Sequence, residues 1–106
     1  MNLFRVPAEL PQEEIFQTLW TGKNVRVEKI VSAGQCSAPG FWYDQADDEW
    51  VALLQGEASI AWEDGRISLL SAGDWLFIPA RAKHRVEKTS SDPMCIWLAI
   101  HISSKS

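Results

Sequence analysis

The densest chemistry in the chain lies in residues 40–50. These eleven residues hold Phe41, Trp42, Tyr43 and Trp50 beside Asp44, Asp47, Asp48, Glu49 and the amide Gln45. Carboxylates at this density can hold a cation or exchange a proton, and aromatic faces can wall a ligand off from water. The cluster runs on through the apolar residues 51–54 to Gly56, so its polar end leads straight into a strand. Only two imidazoles, His84 and His101, are available to work with it. The two cysteines, Cys36 and Cys95, form neither a CxxC pair nor a zinc-site spacing and read as reduced thiols. Cys95 sits inside an apolar run and reads as an inert core thiol. No G-x-S-x-G elbow and no glycine-rich phosphate loop occurs.

The elements that must position these groups follow from periodicity. Residues 8–22 are predicted as the one helix: Pro11 is tolerated near its start, Gly22 ends it, and Ile15, Phe16, Leu19 and Trp20 share a helical stripe. Such a helix should lie against a larger body. From Asn24 onward the pattern changes to short β-rich runs at 25–31, 41–44, 50–54, 58–62, 67–70, 75–78, 84–87 and 94–102. Between Trp62 and Ile67, Asp64-Gly65 is a strong hairpin signal. So many strands without intervening helices indicate an all-β sandwich or barrel. The expected division is residues 1–23 as a segment and helix packed on the body, 24–102 as the barrel, and 103–106 as a frayed tail.

Composition narrows the function classes. At 106 residues the chain suits one domain, and 46% hydrophobic with 23% charged residues is ordinary for a globular protein. A net charge of -4 with scattered Lys and Arg gives no nucleic-acid footprint. No apolar run reaches the roughly 20 residues of a membrane helix, and the N-terminus lacks a signal-peptide core, so a cytoplasmic location is expected. Six tryptophans stand out, because Trp suits cores and ligand-lined cavities.

The order of glycines, prolines and acids resembles the cupin superfamily of double-stranded β-helix (jelly-roll) barrels. Glu49 followed after six residues by Gly56 is similar to the end of the first cupin motif, G-x5-HxH-x3/4-E-x6-G. Gly73, Pro79 and His84 match the second motif, G-x5-P-x-G-x2-H-x3-N, whereas Arg81 replaces its second glycine and Lys88 its asparagine. The resemblance covers residues 34–101 and implies an all-β, cupin-like jelly-roll barrel with one short N-terminal helix. In motif one the histidine pair is missing. Its place is taken by Trp42-Tyr43-Asp44 or Tyr43-Asp44-Gln45, depending on the spacer.

In metal-binding members of the family those histidines, the glutamate and the motif-two histidine hold a divalent ion. The resemblance therefore implies Glu49 and His84 as metal ligands, with Asp44 as a third, for Fe, Mn, Zn or Ni. His101 could add a second imidazole only if the last strand turned it inward, and alternation alone leaves both faces open. The alternative is a metal-free barrel in which Glu49 and His84 form a buried hydrogen-bonded pair.

Trp42, Tyr43 and Gln45 are the candidate ligand-binding residues of the pocket. Arg81 and Lys83, near the expected mouth, could attract an anion or simply be solvated. Alternation places Val51 and Leu53 inside with Glu49, and Trp50, Ala52 and Leu54 outside. Because small cupins commonly pair sheets, the resemblance favours a homodimer that covers this outer face. The expected partner is then a small molecule, with no nucleic acid and no membrane. Three functions stay open: a metal-dependent enzyme or metal-binding cupin, a metal-free binding or sensing module, and a structural accessory domain.

Overall fold

A computed structural model describes residues 1–104. Lys105 and Ser106, half of the segment expected to fray, lie outside the described residues; Ser103 donates its backbone N–H to Asn24 O at 2.9 Å. Eight strands make two antiparallel sheets: β1 (Ile15–Gly22), β2 (Val25–Ser32), β3 (Asp48–Gln55), β4 (Glu57–Trp62), β5 (Ile67–Ser71), β6 (Trp75–Ile78), β7 (His84–Thr89) and β8 (Cys95–Ile102). The larger sheet has the order β1-β2-β8-β3-β6 and the smaller β5-β4-β7. Their facing sides enclose a core built around Leu53, Ile60, Leu70, Ile78, Trp97 and Ala99. No helix among the described residues is long and apolar enough to cross a membrane.

The expected N-terminal helix is not present. Residues 15–22 form the edge strand β1, paired with β2 from Ile15↔Val31 to Gly22↔Val25. Two causes combine. Pro11 leaves too short a run for a stable helix, and Ile15, Phe16, Thr18, Trp20 and Thr21 favour a pleated surface. The helix-like stripe arises from a β-bulge between Thr18 and Trp20, which shifts the side-chain phase midway along the strand. The run 41–44 also falls short of a strand: only Tyr43 bridges, to His84.

Two turns show how the motif residues act. Gly56 has φ 93°, and a Cβ there would meet Cys95 Sγ and Ser90 Oγ, both at 2.8 Å, so the β3–β4 corner requires glycine. Arg81, where the family pattern has glycine, nonetheless holds φ 67° and donates its N–H to Gln45 O at 2.8 Å. Both cysteines are free, Cys36 exposed and Cys95 buried.

The two faces of the larger sheet differ. Toward the core point Arg26, Glu28 and Ile30 of β2, Glu49, Val51 and Leu53 of β3, and Trp97, Ala99 and His101 of β8. The opposite face carries an unbroken apolar row of register partners, Trp20, Val27, Ile100, Trp50 and Phe77, crossing all five strands. Trp20 and Phe77, at its two ends, are 59% and 49% exposed, and the three residues between them are partly buried.

Candidate functional site

Glu49 reaches the interior because it starts β3 on the same face as Val51 and Leu53, and its register partner on β8 is His101. On β8 the buried face is Cys95, Trp97, Ala99 and His101, which leaves Leu98, Ile100 and Ile102 on the outer side. His84 opens β7 and arrives from the opposite sheet, opposite Trp62 on β4. One cavity of about 90 Å³ gathers these groups. Its polar lining is Glu14, Glu28, Tyr43, Gln45, Glu49, His84 and His101, and its apolar wall is Phe16, Ile30, Val51, Ile60, Ile78, Val86 and Trp97.

Several of the polar groups are tied to protein partners. His101 Nε2 lies 3.2 Å from Glu28 Oε1, with both side chains about nine-tenths buried, and Arg26 Nη1 donates to Glu28 Oε2 at 3.2 Å. His84 Nδ1 lies 2.9 Å from Ala82 O. A carbonyl can only accept, so Nδ1 is the donor in this contact, which orients the imidazole. Tyr43 N donates to His84 O at 2.7 Å, and the phenol ring stacks on the imidazole at 5.4 Å and 23°. Among the described residues no hydrogen bond joins Glu49 to His84; the buried acid–imidazole pair is Glu28 with His101.

Burial raises the Glu49 carboxyl above its ordinary range, partly opposed by His101 and His84. Burial also raises the Tyr43 phenol, reinforced by Glu14, Glu49 and Glu28, so it stays a neutral hydroxyl donor.

Of the residues singled out from sequence, Tyr43, Gln45, Glu49 and His84 line this cavity, and Trp42 and Asp44 do not. Asp44 is exposed, with Oδ1 3.4 Å from Arg81 Nη1. Lys83 Nζ lies 3.5 Å from Glu63 Oε2, so both mouth-side cations have carboxylate partners outside the cavity. Glu28 and Glu14 were not candidates from sequence. The one available signal for Glu28 was alternation in 25–31, which sets Arg26 and Glu28 on one face and Val25, Val27 and Val31 on the other.

The family model for the cupin domain matches residues 27–101, most of the chain. The chain belongs to the cupin family. A crystal structure from Ralstonia eutropha JMP134, provisionally named a mannose-6-phosphate isomerase, is 42% identical over 98% of this cupin and 97% of that chain, with TM-score 0.88. A cupin superfamily protein from Desulfitobacterium hafniense DCB-2 is 19% identical over 93% and 84%, with TM-score 0.77. The polyketide cyclase RemF from Streptomyces resistomycificus is 15% identical over 86% and 66%, with TM-score 0.71. The latter two likenesses speak for the fold alone. No curated protein matches this cupin.

Cupins often bind a divalent metal, so the donor set of this one bears directly on that chemistry. Among the described residues no group of three or more His, Cys, Asp or Glu side chains is placed to hold an ion. The causes are visible. Glu28 occupies His101 Nε2, the Tyr43 ring covers one face of His84, and Asp44 turns out to Arg81. As arranged, this cupin's residues do not fit a metal centre.

Proposed function

We propose that this cupin binds a small polar molecule in its barrel cavity without a metal. One observation carries the reading: one cavity, open toward Phe16, sets Glu49, His84, His101, Glu28 and Tyr43 against an apolar wall. Glu49 is buried with no hydrogen-bond partner among the described residues, a costly arrangement that a molecule bound in the cavity would relieve. Glu49, with its carboxyl raised, can give or take a proton from such a ligand, and the His84 imidazole lines the same cavity. Proton transfer is thus the reaction class within reach of these groups if the ligand is turned over.

Native mass spectrometry of untagged protein, followed by a screen of small polar compounds, tests this. A saturable ligand that is lost in Glu49→Gln and in the cavity-filling Val86→Trp, while both variants keep a cooperative melt, supports the proposal. A ligand retained in both variants would place binding elsewhere.

We also propose that two copies pair across the outer face of the larger sheet. The apolar row from Trp20 to Phe77, flanked by Trp75 at 59% exposure, is what supports this. The free, exposed thiol of Cys36 suits a reducing compartment such as the cytoplasm.

A further inference from the structure

We infer that the cavity selects an uncharged or cationic ligand that donates hydrogen bonds, such as a short polyol or amino alcohol, and rejects phosphorylated and other anionic molecules. This deepens the ligand-binding reading of the same cavity and rests on it.

Charge and hydrogen-bond polarity set this selection. Three carboxyl groups line the cavity, Glu14, Glu28 and Glu49, and neither Lys nor Arg does. All three act on the Tyr43 hydroxyl, so their fields converge on the same space. The nearby cations are already engaged. Arg26, which is not part of the lining, holds Glu28, while Arg81 and Lys83 pair with Asp44 and Glu63 outside.

A phosphate needs a guanidinium fork, an ammonium, or a cradle of backbone N–H groups at a helix start. The cavity offers none of the first two, and the described residues contain no helix to provide the third. What it does offer is mainly acceptors, the oxygens of three carboxyl groups, with the Tyr43 hydroxyl and the Gln45 amide as neutral donors. Hydroxyl and ammonium groups satisfy acceptors. Phosphate and carboxylate oxygens would face them unpaired in a low-dielectric space. The size and walls agree, since about 90 Å³ between Val51, Ile60 and Val86 admits a short carbon skeleton.

The test compares four probes of similar skeleton and different charge: glycerol, 2-amino-1,3-propanediol, glycerate and glycerol 3-phosphate. Binding is read at neutral pH from amide and indole shifts of Tyr43, Trp97 and His101 in two-dimensional NMR. Glycerol and the amino alcohol are expected to bind about tenfold or more tightly than either anion. Glu28→Gln and Glu49→Gln, each close in shape to the parent, should each narrow that gap severalfold.

If glycerol 3-phosphate or glycerate binds the cavity as tightly as glycerol, the charge selection is wrong while the ligand cavity stands. If no probe moves any cavity signal, the ligand cavity itself is wrong and this inference goes with it.

Discussion

Tyr43 and His84 face each other across an isolated antiparallel bridge, with their rings stacked 5.4 Å apart at 23°. In the family pattern a metal-binding histidine occupies this neighbourhood of motif one, so an aromatic ring now covers an imidazole where a second donor would converge. The stack also fixes the His84 ring, whose Nδ1 is held by Ala82 O. Tyr43→Phe should keep the stack and the fold, whereas Tyr43→Ala should lower unfolding stability by about 1–3 kcal/mol. Urea denaturation of the two variants checks this, and equal losses would show that the ring contributes nothing.

The Glu28–His101 pair should be energetically coupled. His101→Ala leaves a buried carboxylate with Arg26 as its remaining partner, which should cost about 2 kcal/mol or more. Glu28→Gln should recover part of that loss in the His101→Ala background. A double-mutant cycle in urea reads the coupling, and strict additivity would mean that the 3.2 Å contact carries no energy.

Much of the fold was legible before the structure, and the reasons are local. Asp64-Gly65 marked the β4–β5 hairpin, Glu49 and Gly56 bracketed β3, and alternation placed Val51 and Leu53 inside. Residues 15–22 were not legible as a strand, because a bulge makes Ile15, Phe16, Leu19 and Trp20 imitate a helical stripe. Half of the site was hidden for a related reason. The outer face of the larger sheet is as apolar as the core face, so alternation along β8 could not say which side His101 takes. In β2 the same pattern misleads, since Val25 and Val27 lie on the outer face while Glu28 lines the cavity. Which imidazole meets which acid depends on strand pairing between residues far apart in sequence, and no motif encodes it.

The protonation of Glu49 links the cavity to pH. The native carboxyl titrates above its ordinary value of 4.5, chiefly through burial. The native state therefore holds the proton more tightly than the unfolded chain. The resulting stabilisation is fully present below pH 4.5 and is lost as pH rises through the native midpoint. Glu49→Gln should flatten the fall in stability across that window. NMR titration of the side-chain carboxyl carbon gives the midpoint directly; a value at or below 4.5 would contradict the account.

Arg81 holds a left-handed backbone at φ 67°, where the family pattern has glycine. That conformation costs a non-glycine residue roughly 1–2 kcal/mol, and the pair with Asp44 is exposed enough to offset little of it. Arg81→Gly should raise stability by about 0.5–1 kcal/mol after the added freedom of the unfolded chain is counted. Chemical denaturation checks the sign.

The row Trp20, Val27, Ile100, Trp50 and Phe77 should be covered by a second copy. Light scattering is expected to give twice the chain mass, and Phe77→Asp with Trp20→Asp should return it to a monomer whose core signals are unchanged. A monomeric parent protein would remove the interface.

In this cupin Glu28 pairs with His101, and we propose that Glu49 and His84 serve a small molecule with no metal ion held among these groups. Elemental analysis of tag-free protein, grown with Fe, Mn, Ni and Zn supplied, tests it most directly. Far less than one equivalent of any of these metals is expected, unchanged by His84→Ala. Close to one equivalent of a single metal, lost in His84→Ala or His101→Ala, would contradict it.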